Sequence, residues 1–331
     1  PLMKQFSISV LIPNYNGRKL LEAYLPSLYL ALEPVNDFEV IISDDASKDD
    51  SVSFIEENYP KIILVKNKIN RGFSPNVNAA LAKATKELVF LLNTDVALTP
   101  EYFLKQFRYF EKEDTFGVQS LILNMKDGQP QDGGKYPDRP YLKVDANLRY
   151  FIDNPPENCW LPTYYLIGSN VLMDRIKLLT LGGFDECYAP FYGEDVDISF
   201  KAWRMGWKCY FDPFSVCSHE YSSSINTHSK KLKIRSIAYK NKFVFHHIHF
   251  DGWRLAWWYA NLIFNLIIRI FLLKITFYKG FFLFLKQFPQ VNRSKSQLRS
   301  LLKTSNTRLS ILQFEKYIKD QLKGYSINII R

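Results

Sequence analysis

Residues 6–17 read Phe-Ser-Ile-Ser-Val-Leu-Ile-Pro-Asn-Tyr-Asn-Gly, and this stretch decides the fold class. Its apolar, β-branched first half predicts a short buried strand, and the Pro-Asn-Tyr-Asn-Gly sequence that follows predicts a loop. The same alternation continues with a helix over 20–32, a strand over 38–43, a helix to about 58, a strand over 61–65, a helix over 77–84 and a strand over 87–92. Strands separated by helices predict an α/β fold with a mostly parallel, three-layer sheet.

Polar clusters follow three of the predicted strands, at the point where each strand ends. They are Pro13 to Gly17, Asp44 to Ser47 and Asn93 to Asp95. Because ligands of parallel α/β sheets bind at the carboxyl ends of the strands, we expect the three clusters to line one crevice. Taken alone, each cluster has a simpler explanation, such as helix capping for the paired aspartates or an Asx-turn for Asn93 to Asp95.

A further acidic cluster, Gly193-Glu-Asp-Val-Asp197, begins a predicted helix that extends to about residue 205. Alone, these acids could simply complement the helix dipole, and a single histidine such as His219 is usually structural. Together with the strand-end clusters, however, they predict a cleft lined by carboxylates. Such a cleft suits a divalent metal ion and a phosphate-bearing ligand, because hard cations prefer oxygen ligands and bridge to phosphates.

Composition excludes several classes of protein. The 331-residue chain is 47% hydrophobic and 23% charged, which argues against extensive disorder. Its four cysteines, Cys159, Cys187, Cys209 and Cys217, form no CxxC pair. This spacing excludes a disulfide scaffold and a cysteine-based zinc ribbon, and it favours a reducing compartment. The N-terminus leads directly into a strand pattern, so we expect no signal peptide.

The net charge of +10 is distributed unevenly along the chain. Residues 1–227 hold 23 basic against 30 acidic side chains, which gives −7, whereas residues 228–331 hold 20 against three, which gives +17. We therefore divide the chain into an α/β domain over 1–227 and a basic, aromatic-rich helical region over 228–331. The charge of the second region predicts an anionic partner, either nucleic acid or an anionic lipid surface.

Residues 254–287 predict an amphipathic helix or a pair of helices. On a helix, the polar side chains form one stripe ~100° wide, and the wide remaining face is apolar. The stripe consists of Arg254, Asn261, Asn265, Arg269, Thr276, Lys279 and Lys286. Three explanations stay open: a core helix packed on the α/β domain, a helix that spans the bilayer, and a helix in the plane of the membrane.

The in-plane helix fits this segment best. Inside a bilayer, Arg269 and the asparagines would need polar partners, whereas an in-plane helix keeps them in the interface. The apolar face lacks the polar and basic interleaving of a nucleic-acid surface, so we expect no nucleic acid. We therefore expect a cytoplasmic protein attached peripherally to the inner face of the cell membrane through an anionic surface. Self-association through the C-terminal region stays open.

Six motifs, in order along the chain, resemble family 2 of the inverting nucleotide-sugar glycosyltransferases, including bacterial rhamnosyltransferases. They are Ser9 to Gly17, Val40 to Ser47, Asn70 to Phe73 with Asn78, Leu91 to Asp95, Gly182 to Asp185 and Tyr192 to Asp197. The resemblance covers about residues 6–221. It implies the GT-A fold, a UDP- or dTDP-sugar donor, and inversion of the anomeric centre on transfer to a glycan or lipid-linked acceptor.

The resemblance also implies roles for individual residues. Contacts with the nucleotide fall on Pro13, Asn14, Tyr15, Asp44, Asp45, Arg71, Asn78 and Thr94, and Asp45 matches the acid that binds the base N3–H. Asp95 and His219 match ligands of a divalent metal, Mn²⁺ or Mg²⁺, although Asn93 stands where the family's DxD motif has its first Asp. Asp195 matches the catalytic base, with Glu194 beside it.

The sequence also bears on processivity and on two alternative functions. The Gln-x-x-Arg-Trp motif of processive synthases does not occur in it, which favours transfer of a single sugar. A nucleotidyltransferase would show a Gly-rich, basic phosphate loop after the first strand, and Pro13 to Arg18 is a poor version of one. A catalytically degenerate, membrane-tethered glycan-binding protein is the other alternative, because of Asn93. By family analogy, we expect an enzyme of cell-surface polysaccharide assembly.

Overall fold

Residues 8–14 form a strand near the middle of a ten-stranded mixed sheet. The protein, seen here in a computed structural model, is described over residues 4–137, 144, 148–220, 228–271 and 274–331. The strands are β1 (Ile8–Asn14), β2 (Phe38–Asp44), β3 (Ile63–Lys66), β4 (Leu88–Leu92), β5 (Val96–Leu98), β6 (Thr115–Asn124), β7 (Pro130–Asp132), β8 (Gly134–Lys135), β9 (Arg149–Ile152), β10 (Leu161–Pro162), β11 (Asn170–Asp174), β12 (Lys208–His219) and β13 (Ile327–Ile330).

The main sheet runs in the order β10-β12-β6-β11-β4-β1-β2-β3, with β5 and β7 at its margin. Strands β1 to β4 are parallel, β11 is antiparallel to both its neighbours, and β12 is parallel to β6. Residues Asn14 and Asp44 are directly opposite in the β1–β2 register. The predicted α/β fold with a mostly parallel sheet is therefore confirmed, and the first polar clusters lie side by side.

Ten helices are described, and the first ones match the predicted pattern to within a few residues. They are α1 (Arg18–Leu32), α2 (Ser51–Asn58), α3 (Phe73–Leu81), α4 (Arg175–Thr180), α5 (Glu194–Arg204), α6 (His228–His249), α7 (Gly252–Phe271), α8 (Ile275–Lys286), α9 (Phe288–Thr304) and α10 (Ile311–Leu322). Two hydrophobic cores, one on each face of the main sheet, join these helices to the strands.

Residues 126–160 are rich in Gly, Pro, Asp and Asn, a composition that predicts a long surface loop. They contain β7, which extends the main sheet, and β8 and β9, which form a second sheet with the C-terminal β13. A side chain at Gly134 would collide with the Tyr150 ring, so glycine permits this packing. Strands of two to four residues are too short for a periodic signal, which is why the sequence pattern does not reveal them.

The C-terminal region contributes to the core of the α/β domain. Phe314 of α10 stacks on the buried Trp203 of α5, with ring centroids 5.6 Å apart, and Phe245 of α6 packs edge-on against Phe200. Helices α6, α9 and α10 therefore pack as core helices against the sheet domain. The division between residues 227 and 228 stays a prediction, because residues 221–227 lie outside the described part.

Helices α7 and α8 form an exception, because they expose their apolar faces. We call this surface the outer apolar face; it consists of Trp253, Trp257, Ile263, Phe264, Ile267, Ile268, Ile270, Ile275, Phe282, Leu283 and Leu285. The predicted polar stripe of α7 lies on the inner side, where Arg269 donates to Tyr239 Oη at 3.2 Å and stacks over Phe277. Among the described residues, no helix is long and apolar enough to cross a membrane.

Gly280 lets α8 cross α6 at close range. A Cβ atom at this position would lie 2.6 Å from Tyr239 Cβ and 2.7 Å from the Ser236 carbonyl oxygen. Because the second contact is with backbone, the helices themselves would have to move apart.

We predict that Gly280→Ala lowers the free energy of unfolding by ~1–3 kcal/mol, the usual cost of overpacking. Urea denaturation followed by circular dichroism measures this change. Gly324→Ala is the matched control, because a Cβ atom there meets nothing within 4 Å. Equal midpoints for the two variants would contradict the close crossing.

Candidate active site

Asn14 and Asp44 join the ends of β1 and β2 through a buried hydrogen bond. Asn14 Nδ2 donates to Asp44 Oδ1 at 2.8 Å, and the same carboxylate accepts the Ser47 backbone N–H and hydroxyl. The Asn16 backbone N–H in turn donates to Ser47 Oγ at 2.8 Å. These contacts fix the loops that follow both strands, and Asp44 thereby stabilises the base of the crevice. Pro13 directly precedes Asn14 at the end of β1, and it is half-buried.

Asp45 holds the loop that leads into α3. Its carboxylate accepts the backbone N–H of Arg71 at 3.1 Å and that of Gly72 at 2.9 Å. Gly72 has φ = +93°, and a Cβ atom there would lie 2.6 Å from Pro190 Cα. A carboxylate has about four lone-pair sites, so Asp45 retains capacity for one more donor, such as a base N–H.

Tyr15 and Thr94 line the mouth of the same crevice. The Tyr15 side chain is 49% exposed, which leaves its ring free to stack on a flat ligand. Gly17 lies between the clusters: a Cβ atom there would be 2.3 Å from Asn14 Oδ1 and 3.5 Å from Thr94 Cγ2. The strand-end clusters of β1 and β4 are therefore in contact, as the sequence predicts for one crevice.

Arg71 and Asn78 face the turn after α4. Arg71 forms an ion pair with Glu186 at 2.8 Å, and both side chains are at least a third exposed, so water screens the pair. Asn78 binds the backbone of Phe184 twice, donating to its carbonyl at 2.8 Å and accepting from its N–H at 2.9 Å. Asn78 thus fixes the Gly182–Asp185 turn, and its contact with a nucleotide stays a prediction.

Asp95 and His219 come together through the pairing of β5 with β12. Asp95 Oδ2 lies 3.2 Å from His219 Nε2, and Gln131 Nε2 lies 3.1 Å from His219 Nδ1. The other oxygen, Asp95 Oδ1, is buried with no hydrogen-bond partner among the described residues. An unpartnered buried carboxylate oxygen beside an imidazole fits a divalent cation.

Two protein ligands are fewer than a closed metal site uses. Among the described residues, no group of three or more His, Cys, Asp and Glu side chains could hold a metal ion. A Mg²⁺- or Mn²⁺-type ion usually takes one or two carboxylates and completes its shell with water and substrate phosphates. The Asp95–His219 pair fits that arrangement, with the remaining positions left to a diphosphate.

Glu194 and Asp195 begin α5, and their carboxyl groups have different surroundings. Burial and the neighbouring Asp195 carboxylate raise the pKa of Glu194 to about 8. Burial also raises the pKa of Asp195, although backbone N–H groups of Val196 and Gly168 oppose the rise. The pKa values of both carboxyl groups are therefore raised, and the two backbone N–H groups favour the charged form of Asp195, which is the form that can accept a proton.

A buried ionic network lies behind this helix start. Asp197 accepts from Tyr188 Oη at 3.0 Å and from His249 Nε2 at 2.9 Å, and it pairs with Lys201 at 2.7 Å. Burial alone would raise the pKa of Asp197, but the Lys201 charge and the His249 hydrogen bond outweigh burial and lower it to about 2. Burial lowers the pKa of His249 to about 4, so its imidazole is neutral.

A two-residue segment, Gly168 and Ser169, lies between Asp195 and Asn93. Ser169 O accepts the Asn93 backbone N–H at 2.9 Å, and the Gly168 backbone N–H donates to Asp195. A Cβ atom at Gly168 would lie 3.4 Å from Asp195 Cβ, so the Gly168 backbone passes close to the Asp195 side chain. The predicted base and the start of the Asn93–Asp95 cluster are thus linked through one backbone segment.

Several residues of the site carry no local sequence signal. Glu186 pairs with Arg71, Gln131 orients His219, and His249 binds Asp197. Asn241 donates to the carbonyl oxygens of Tyr188, Phe191 and Tyr192, and so holds the loop before α5. His249 and Asn241 belong to the basic region that the sequence assigned to the membrane, where polar residues at helical spacing indicate a solvated face.

Comparisons with known proteins identify the family and the fold of this chain. The family model of Glycosyl transferase family 2 matches residues 9–176. The N-acetylglucosaminyl-diphospho-decaprenol L-rhamnosyltransferase of Mycobacterium tuberculosis is 24% identical over 274 residues, covering 74% of this chain and 86% of that protein.

Solved structures share the fold at low sequence identity. The mannosyltransferase PcManGT of Pyrobaculum calidifontis, solved with GDP-Man and Mn²⁺, has a TM-score of 0.52 at 18% identity, covering 91% of this chain and 87% of that chain. GalNAc-T7, solved with UDP, GalNAc and Mn²⁺, has a TM-score of 0.57 at 17% identity, covering 76% of this chain and 49% of that chain.

These findings confirm the GT-A fold with its helical C-terminal region, and they exclude the nucleotidyltransferase alternative. The family match spans just over half of the 331 residues. The chain belongs to glycosyl transferase family 2.

Proposed function

We propose that the protein is an inverting, divalent-metal-dependent glycosyltransferase that moves one sugar from a UDP- or dTDP-sugar to a glycan or lipid-linked acceptor. The observation that carries this proposal is the position of Asp195. Its carboxylate lies at the start of α5, one backbone segment from the Asn93–Asp95 cluster. We place the reaction at a membrane surface, in the assembly of a cell-surface polysaccharide.

The chemistry requires a base on one side of the donor sugar and charge neutralisation on the other. The acceptor hydroxyl oxygen attacks the anomeric carbon, the new glycosidic bond forms, and the bond from that carbon to the diphosphate oxygen breaks. Asp195 takes the proton of the acceptor hydroxyl, and the nucleoside diphosphate leaves. Its raised pKa makes Asp195 a stronger base than an exposed aspartate.

The remaining residues bind and orient the donor. Asp45 would accept the base N3–H, Tyr15 would stack on the base, and Arg71 would exchange Glu186 for an anionic group of the donor. Asp95 and His219 would hold a divalent cation, which when bound neutralises charge on the diphosphate. For this role the Gln131 amide would have to turn its oxygen toward His219 Nδ1 and accept the ring N–H, which leaves Nε2 free for the cation.

Two observations support a lipid-linked acceptor at a membrane. The mycobacterial relative is named for an acceptor that carries a diphosphate and a decaprenol chain. In this chain, the outer apolar face consists of eleven large apolar side chains, each at least 40% exposed, and clustered exposed apolar side chains mark interaction sites. Lysines and arginines of α6 and α9 flank it, as in helices that lie in an anionic interface.

We predict that Asp195→Asn lowers turnover by ~10² or more, because the amide cannot accept the proton. Donor affinity should change little. The wild-type rate should rise with pH through the pKa of Asp195, and the residual rate of the variant should lose this dependence. Steady-state kinetics over a range of pH measures both effects. Turnover within a few-fold of wild type would exclude Asp195 as the base.

We predict that Asp95→Ala abolishes Mn²⁺ binding in the presence of UDP or dTDP, because the unpartnered carboxylate oxygen is lost. His219→Ala should weaken it less, and Asn93→Asp should preserve it. Electron paramagnetic resonance of free Mn²⁺ measures binding without turnover. Asp320→Ala, an exposed aspartate on α10, is the matched control. Full Mn²⁺ binding by Asp95→Ala, or full activity in EDTA, would overturn the metal assignment.

We predict that the full chain floats with anionic vesicles in a density gradient, and that Ile263→Ser with Ile267→Ser reduces flotation several-fold. Both residues belong to the outer apolar face. The matched control is Ile69→Ser with Ile176→Ser, which are equally exposed outside that face. If the wild type stays at the bottom of the gradient, membrane attachment is wrong, and gel filtration should show a second copy covering the face.

A further inference from the structure

A large open groove of about 1590 Å³ lies between α6, α8 and the start of α9. This exceeds the ~300–1,000 Å³ typical of small-molecule pockets. Ala189 and Pro190 form its inner end. The Pro190 carbonyl accepts the Phe73 backbone N–H at 2.8 Å, next to the Gly72 that Asp45 holds. Pro190 therefore separates the groove from the proposed donor crevice.

The wall of the groove carries six cations that have no anionic partner in the part of the chain that the structure describes. They are Lys233, Arg235, Lys274, Lys279, Lys286 and Arg293. None of them forms an ion pair with a carboxylate of the described residues, although other cations of the same region do. No Asp or Glu is among the residues that line the groove. Converging like charges are unfavourable unless an anion lies between them, so the groove is complementary to a multiply charged anion.

A seventh cation, Lys240, is already occupied and makes the inner end rigid. Its buried ammonium donates to Cys187 O at 2.6 Å, to Ala189 O at 2.8 Å and to Gln287 Oε1 at 3.3 Å. These bonds use all three of its donors. Lys240 thus ties the loop before α5 to the helices that form the groove.

The outer part of the groove is apolar. Ile275, Phe282 and Leu283 line it and are 64%, 64% and 40% exposed. At helical spacing, these residues share one face of α8 with Lys279 and Lys286. They also belong to the outer apolar face, so the groove opens onto the surface that we place against the membrane.

We propose that this groove binds the acceptor lipid, with its phosphate or diphosphate among the six cations and its first hydrocarbon units along Ile275, Phe282 and Leu283. The groove presents cations and then, at its outer end, apolar side chains. This order matches an amphiphile with an anionic head group. The sugar on that head would lie near Pro190, toward the start of α5. The inference rests on the proposed function, because it assigns a site to that reaction's acceptor.

Binding of farnesyl diphosphate to the full chain tests the proposal by calorimetry, because this soluble probe combines a diphosphate with a hydrocarbon chain. We expect inorganic pyrophosphate and farnesol each to bind at least about tenfold more weakly than the combined probe. Lys279→Glu with Lys286→Glu should weaken binding of the probe roughly tenfold or more, because charge-assisted hydrogen bonds are lost. Lys303→Glu with Lys316→Glu, the same charge change outside the groove, should bind like wild type.

A second pair of variants tests the apolar part. Phe282→Ser should weaken farnesyl diphosphate without affecting pyrophosphate, whereas Phe264→Ser, an equally exposed phenylalanine of α7, should leave both unchanged. Equal affinity of the two double lysine variants would overturn the proposal. Pyrophosphate binding as tightly as the combined probe would also overturn it, in favour of a simple anion site.

Failure of this inference is distinguishable from failure of the proposed function. The calorimetric experiment contains neither donor nor metal, so its result does not depend on sugar transfer. Mn²⁺-dependent binding of UDP or dTDP by the Lys303→Glu with Lys316→Glu control reports on the donor site separately. Loss of nucleotide binding alone would reject the enzyme assignment, whereas loss of groove selectivity alone would reject the acceptor site.

Discussion

Asp197 and Lys201 form a buried ion pair on the inner side of α5, and the rest of the site depends on it. A buried charge without a partner costs several kcal/mol (about 3–5 on removal of one partner), so the pair and its neighbours hold one another in place. Lys201 also reaches Asp185 at 3.0 Å, and Asp197 binds His249 of α6. The turn after α4 and the first C-terminal helix are thereby fixed against the helix that presents Asp195.

This arrangement explains which parts of the site were predictable from sequence. The strand ends at Asn14, Asp44 and Asp95 follow from local alternation of strands and helices, and parallel pairing brings them to one edge. The partners that set each side chain lie far away along the chain: Glu186 is 115 residues from Arg71, and His249 is 52 from Asp197. No periodic pattern encodes such pairs, so they emerge only from the folded structure.

The orientation of the C-terminal helices was also not predictable from the sequence. Helical spacing predicts a wide apolar face and a narrow polar stripe in 254–287, but not which of the two turns toward the protein. In the structure, the α7 part of the stripe turns inward because Arg269 contacts Tyr239, Asn265 and Phe277 there. Lys279 and Lys286 of α8 stay exposed. The apolar side chains consequently face outward, next to a groove lined with cations. Helix α6 packs between α8 and α5. In the proposed function, it would therefore connect the membrane-facing surface and the acceptor groove to the helix that presents Asp195.

The central claim is that the crevice at the strand ends is a metal-assisted nucleotide-sugar site. The shift of the thermal unfolding midpoint by a panel of nucleotide sugars, with Mn²⁺ or with EDTA, tests it most directly. Ligands that bind only the native state raise the midpoint, because at free concentration L they stabilise that state by RT ln(1 + L/Kd). We expect a UDP- or dTDP-sugar to raise the midpoint with Mn²⁺ and to raise it much less with EDTA. No shift with any nucleotide sugar, or an equal shift in EDTA, would contradict it.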